Sequence, residues 1–123
     1  MAKVLVVDDS QMVRELVLDP LQQLGHDARG VDPASLESVL ARLASFRPEL
    51  VITDLQMPQC PGLDLVRAIR ADPRLEATLI LVFTAHRDVD LIQELTALGI
   101  NGLLFKGLSI LELIDAVTAL LAA

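Results

Sequence analysis

Five short apolar runs recur along this chain, and between them the hydrophobic residues fall at helical spacing. The runs are Lys3–Val7, Asp27–Val31, Glu49–Thr53, Leu79–Phe83 and Leu103–Phe105. Most are continuous aliphatic segments, the pattern of parallel strands covered on both faces. Asp27–Val31 is more polar, as an edge strand is.

The intervening stretches read as amphipathic helices. Ser10 is placed to cap the first, whose stripe is Val13, Leu16, Val17, Leu21 and Leu24, with Gly25 as its stop. The second carries Leu36, Val39, Leu40 and Leu43, and the third Leu65, Val66 and Ile69 before Asp72-Pro73. The fourth carries Leu91, Ile92, Leu95 and Leu98, stopping at Gly99. The fifth carries Ile110, Leu113, Ile114, Val117 and Leu120. Strand and helix alternate throughout. This order predicts an α/β fold, a doubly wound (βα)5 parallel sheet with right-handed crossovers. Pro20 breaks the local rule. It has no amide hydrogen for the carbonyl of Leu16, so a kink or opening is expected there.

A chain of 123 residues fits one domain spanning 1–123. More than half of it is hydrophobic (53%), but Phe46, Phe83 and Phe105 are the only aromatics, so the core must be aliphatic. The net charge of −7 argues against a nucleic-acid binder, which needs a basic face. It argues equally against docking on an anionic membrane. No apolar stretch is long enough for a transmembrane helix, and the N-terminus runs straight into a strand without a signal-peptide pattern. The lone Cys60 allows no internal disulfide and fits a reducing, cytoplasmic compartment.

The chemistry lies in the residues that end each apolar run. The first ends at Asp8-Asp9, the third at Asp54, the fourth at Thr84 and the fifth at Lys106. Open α/β sheets bind ligands beyond the carboxyl ends of the strands, where the strand order reverses. In the order 2-1-3-4-5 the reversal falls between strands one and three, which gathers Asp8, Asp9 and Asp54. Two unit charges ~4 Å apart repel by ~4 kcal/mol at an effective dielectric of ~20. Three carboxylates together therefore need a cation, and carboxylate oxygens with room for water suit Mg²⁺. Lys106 adds an ammonium and Thr84 a hydroxyl donor. A metal, an ammonium and a hydroxyl around a carboxylate are equipped to handle a phosphoryl group, with the carboxylate as nucleophile. His86 falls at the rim of this pocket and His26 near the edge strand, on the surface; neither has a partner at metal-ligand spacing.

The residues V-D-D-S, D-L-Q-M-P-x-x-P-G, T-A and K occur in this order. Together they resemble the receiver domain of two-component response regulators, over essentially the whole chain. The likeness is strongest to stand-alone receivers of the chemotaxis-regulator type, since no effector domain follows. The resemblance implies a flavodoxin-like fold with sheet order 2-1-3-4-5. It makes Asp54 the phosphoacceptor. It assigns Mg²⁺ to Asp8, Asp9, Asp54 and the backbone carbonyl of Gln56, with Asp9 as the direct ligand of the acidic pair. Thr84 matches the switch hydroxyl and Lys106 the lysine that pairs with the phosphoryl group. The implied partners are a sensor histidine kinase or histidine phosphotransfer protein, and a downstream protein that docks on the face made by helix four, strand five and helix five. A monomer or weak dimer is expected.

The sequence departs from the family at two places. Gly107 follows Lys106 where proline is usual, and Leu103 replaces the aromatic three residues before the lysine. The phosphorylation chemistry is expected to survive both. A trans Lys106–Gly107 bond is expected as well, because a cis bond before a non-proline residue costs roughly 2.5–4 kcal/mol. Two other functions are open at this point. One is a receiver-fold interaction module that works without phosphorylation, suggested by Leu103 and Gly107. The other is an aspartate-nucleophile phosphatase. Such enzymes usually carry Asp-x-Asp after one strand, whereas here acceptor and acidic pair end different strands, with no cap domain to enclose a substrate.

Overall fold

A computed structural model describes all residues, Met1–Ala123. The elements follow the expected alternation: β1 (Lys3–Val7), α1 (Gln11–Gln23), β2 (Asp27–Val31), α2 (Leu36–Phe46), β3 (Leu50–Thr53), α3 (Gly62–Ala71), a 3-10 turn (Pro73–Leu75), β4 (Leu79–Thr84), α4 (Val89–Leu98), β5 (Gly102–Phe105) and α5 (Ile110–Ala122). All strand pairs are parallel and the sheet order is β2-β1-β3-β4-β5. This is the doubly wound, flavodoxin-like arrangement expected from the sequence.

Alternating side chains of each strand feed two cores. Leu5, Val7, Val51, Ile80 and Val82 pack under α2, α3 and α4 with Val39, Leu43, Leu65, Val66, Ile69 and Leu95. Val4, Val6, Leu50, Ile52 and Leu81 pack under α1 and α5 with Val17, Leu21, Leu113 and Val117. Burying each such aliphatic side chain contributes roughly 1.5–3 kcal/mol. Both faces of the central strands are thus covered, which is why their sequences are continuously apolar rather than alternating. At the edge, β2 exposes Asp27 and Arg29.

Helix α1 differs from its expected stripe. Leu16 and Leu24 are 58% and 57% exposed, while Leu18 packs on the core in their place. The three-and-four spacing admits a stripe wider than the face that β1 and β2 can cover, and the sheet decides which edge of it is buried. Nor does Pro20 break the helix, which runs unbroken to Gln23. Pro20 lies in the last turn, and its own carbonyl accepts from Leu24 N at 3.1 Å. The one bond lost starts at Leu16, on the solvent side.

Three helices begin with serine caps. Ser10 accepts from Val13 N, Ser35 from Ser38 N and Ser109 from Glu112 N, each satisfying an amide that the helix cannot. The Ser10 cap matters most here, because it fixes where the chain turns out of β1 and into α1.

Candidate functional site

Register sets the site. Val7 pairs with Thr53 across β1 and β3, and Thr84 with Phe105 across β4 and β5. The next residues, Asp8, Asp54 and Lys106, therefore emerge along one edge of the sheet, and Lys106 N donates to Thr84 O at 2.8 Å. Carboxylate oxygens of Asp8, Asp9 and Asp54 all lie within 4.8 Å of one another. Every residue expected at the site thus reaches the same end of the sheet.

Asp8 and Asp54 are buried, at 3% and 7% exposure. Lys106 Nζ bridges them, donating to Asp8 Oδ2 at 2.9 Å and to Asp54 Oδ2 at 3.0 Å. The second oxygen of each carboxylate is held by main chain. Ser10 N donates to Asp8 Oδ1 at 2.9 Å and Leu55 N to Asp54 Oδ1 at 2.7 Å. Asp9 stands apart. It is exposed and lines an open depression of ≈ 380 Å³ with Leu55, Gln56, Met57, Pro58 and Pro61. Thr84 is fully buried, and its Oγ1 accepts from His86 N at 3.1 Å.

The charges respond to this packing. Burial pushes the Asp8 carboxyl above the usual carboxylate range, and the Ser10 amide and the Lys106 ammonium only partly offset it. Burial also acts to lower Lys106, but its hydrogen bonds and charge contacts with Asp8 and Asp54 outweigh that and hold it above the ordinary lysine value. Lys106 is the less buried partner, with 23% of its side chain exposed against 4% for Asp8. Desolvation therefore wins at the carboxyl and pairing wins at the ammonium. Three carboxylates beside one ammonium leave two negative charges more than positive. The donor set is all oxygen, with Asp9 open to water. That is a fit for a hard, partly hydrated divalent cation.

Several contacts carry information that the sequence reading lacked. Arg14 Nη1 donates to the main-chain carbonyl of Asp8 at 2.6 Å; the available signal was an arginine in the helix turn after an Asp pair, since helix side chains lean toward the N-terminus. Gly62 lies so close to the chain carrying Asp54 that a Cβ there would sit 2.6 Å from Asp54 O. The sequence marked it only as a helix start. His26, expected at the surface, is half-buried, and its Nδ1 accepts from Ala2 N at 3.1 Å. Cys60 is wholly buried in the core. No peptide bond is cis, so Lys106–Gly107 is trans as expected, and Gly107 turns the chain at φ +109°.

The family model described as the response regulator receiver domain matches residues 4–118. The chain belongs to the response-regulator receiver domains. The chemotaxis protein CheY of Pseudomonas aeruginosa is 35% identical over 104 residues, 85% of this chain and 83% of that one. CheY1 of Helicobacter pylori is 34% identical over 105 residues, again 85% of this chain and 84% of its own. Among solved structures, the receiver protein of Pseudomonas putida superposes with a TM-score of 0.86 at 36% identity, covering 95% of each chain. The chemotaxis response regulator CheY4 of Vibrio cholerae does so at 0.86 and 31% identity, covering 97% of this chain and 98% of that one. This receiver domain is accordingly similar to CheY signalling domains. None of its helices is long and apolar enough to cross a membrane.

Proposed function

We propose that this chain, read as one receiver domain over residues 1–123, is a switch activated by phosphorylation of Asp54. The observation that carries the reading is the buried Asp54 carboxylate, 3.0 Å from Lys106 Nζ and clustered with Asp8 and Asp9. The phosphoryl donor is a phosphohistidine on a sensor histidine kinase or histidine phosphotransfer protein. An Asp54 carboxylate oxygen forms a bond to phosphorus as the phosphorus–nitrogen bond breaks. The imidazole leaves with the bonding pair and takes a proton from water, and Asp54 becomes an acyl phosphate.

Asp8, Asp9, Asp54 and the backbone carbonyl of Gln56 would hold Mg²⁺. When bound, the ion neutralises charge that develops on the phosphoryl oxygens. Lys106, 3.0 Å from Asp54 Oδ2, would supply a further positive charge to the same oxygens. The Thr84 hydroxyl, held in place by His86 N, donates to a phosphoryl oxygen and so couples the site to α4. The downstream partner is a protein docking on α4, β5 and α5, and the setting is the cytoplasm. In this reading the chain turns over no separate substrate. It assists only its own phosphorylation and the hydrolysis of the acyl phosphate.

The test is incubation with a small phosphodonor and Mg²⁺, followed by intact mass. A gain of one phosphoryl group that disappears in Asp54→Ala and in excess chelator is expected. Failure to gain it, or a gain that persists in Asp54→Ala, would leave the phosphorylation-independent interaction module as the better reading.

A further inference from the structure

The Arg14 guanidinium is not used by anything described so far. It is half-buried on α1 and forms no ion pair with any carboxylate. Its partner is instead the carbonyl oxygen of Asp8, at 2.6 Å. That oxygen belongs to the peptide joining Asp8 to Asp9. Asp8 has its own anchors, Ser10 N and Lys106 Nζ. The Asp9 side chain has no hydrogen-bond or ion-pair partner, so its direction follows from the orientation of the peptide before it. The route to that peptide also looks cleared. The Arg14 stem crosses β2 at Gly30, where an added Cβ would sit 3.3 Å from Arg14 Cδ and 3.1 Å from Leu18 Cδ1.

We infer that Arg14 is a positioning residue for the acidic site: by holding the Asp8–Asp9 peptide it aims the otherwise unsupported Asp9 carboxylate at the cation that Asp8 and Asp54 share. This rests on the reading of Asp8, Asp9 and Asp54 as a Mg²⁺ site. A charged donor is well suited to the task. Its bond to a neutral carbonyl is stronger than a neutral one, and it neutralises no carboxylate that the metal needs. Groups that orient metal ligands without touching the metal typically change affinity by about 10–100-fold when removed.

The experiment measures Mg²⁺ binding alone, by titration calorimetry on unphosphorylated protein with no phosphodonor. Arg14→Met keeps the aliphatic stem over Gly30 and removes the donor; Arg14→Lys keeps a cationic donor. Thermal unfolding in chelator and the amide NMR shifts of residues 8–10 are recorded for each. Arg14→Met should bind Mg²⁺ about ten-fold more weakly, with the protein still folded in chelator at the temperature of the titration and the amide shifts of residues 8–10 moved. Arg14→Lys should recover part of the loss. Gly30→Ala should weaken binding in the wild-type background but add nothing to Arg14→Met, because both act through one contact. Wild-type affinity in Arg14→Met would overturn the positioning role and leave the acidic site standing. Equal losses from Gly30→Ala in both backgrounds would overturn the reading of Gly30 as the clearance for the Arg14 stem. A wild-type protein that binds no Mg²⁺ would instead remove the site itself, and the role of Arg14 with it.

Discussion

Lys106 Nζ lies 3.0 Å from Asp54 Oδ2, across 52 positions of sequence. The same ammonium reaches Asp8 Oδ2 at 2.9 Å, so one cation at the end of β5 neutralises carboxylates from the ends of β1 and β3. The pair explains how two carboxylates can be buried side by side.

Lys106→Ala should therefore destabilise the metal-free protein. Two buried carboxylates would lose their shared donor, which costs roughly 1–3 kcal/mol. Added Mg²⁺ should narrow the gap, because it supplies the missing positive charge. Urea unfolding in chelator and in Mg²⁺ checks this; equal stability of the variant and wild type in chelator would refute it. Lys106→Ala and Thr84→Ala should both stay folded, yet their phosphodonor-treated NMR spectra should differ from that of phosphorylated wild type along α4 and β5.

Gly107 makes a cleaner backbone test. At φ +109° it occupies a region that residues with a Cβ avoid, while an added Cβ would meet nothing within 4 Å. Gly107→Ala should therefore lose about 1–2 kcal/mol from the backbone alone, with Gly107→Asn losing less because asparagine tolerates positive φ better. Proline, common at this place in the family, needs φ near about −65°, so Gly107→Pro should disturb the turn into α5 rather than restore a family feature. Denaturant midpoints rank the three; an alanine variant as stable as wild type would contradict the strained backbone.

Cys60 links pH to stability. Its burial, with the carboxylates of Asp64 and Glu37 acting in the same direction, raises its thiol pKa above the ordinary value. The folded state then holds this proton more tightly than the unfolded chain does. The associated stability is fully present below the unfolded thiol pKa, near about 8.5, and is lost as pH rises through the higher folded value. Wild type should therefore lose more stability than Cys60→Ala between neutral pH and the raised folded value. Iodoacetamide should label Cys60 only as fast as the protein opens. Rapid labelling under native conditions would show that the thiol is not sequestered.

Asn101 ties α3, α4 and β4 together. Its Oδ1 accepts from Ile80 N at 2.8 Å and from Arg70 Nη2 at 3.0 Å, while Arg70 Nε donates to Gly99 O at 3.1 Å. Asn101→Ala should cost about 1–3 kcal/mol and speed hydrogen exchange at the Ile80 amide. Asn101→Asp keeps the acceptor and should keep that amide protected. Unchanged exchange in the alanine variant would mean that another group serves Ile80.

The sequence by itself determined the order of elements and which polar residues close the strands. Strands covered on both faces must be continuously apolar, so an Asp, Thr or Lys closing such a run stands out. Parallel topology then sends the residues that close them to one end of the sheet, which is why Asp8, Asp9, Asp54, Thr84 and Lys106 could be named before any coordinates. The tertiary structure alone decided how wide a stripe of α1 is buried. Leu16 and Leu24 fit the period of α1 as well as Val17 and Leu21 do, but the area offered by β1 and β2 left them in water. It also decided which polar groups meet. Arg14 on the Asp8 carbonyl, Arg70 on Asn101, and Lys106 between Asp8 and Asp54 join residues on different elements. Hydrophobic periodicity records which face of an element is buried but carries no record of the partner, and a hydrogen bond depends on ångström-scale distances that only the packed sheet and helices set.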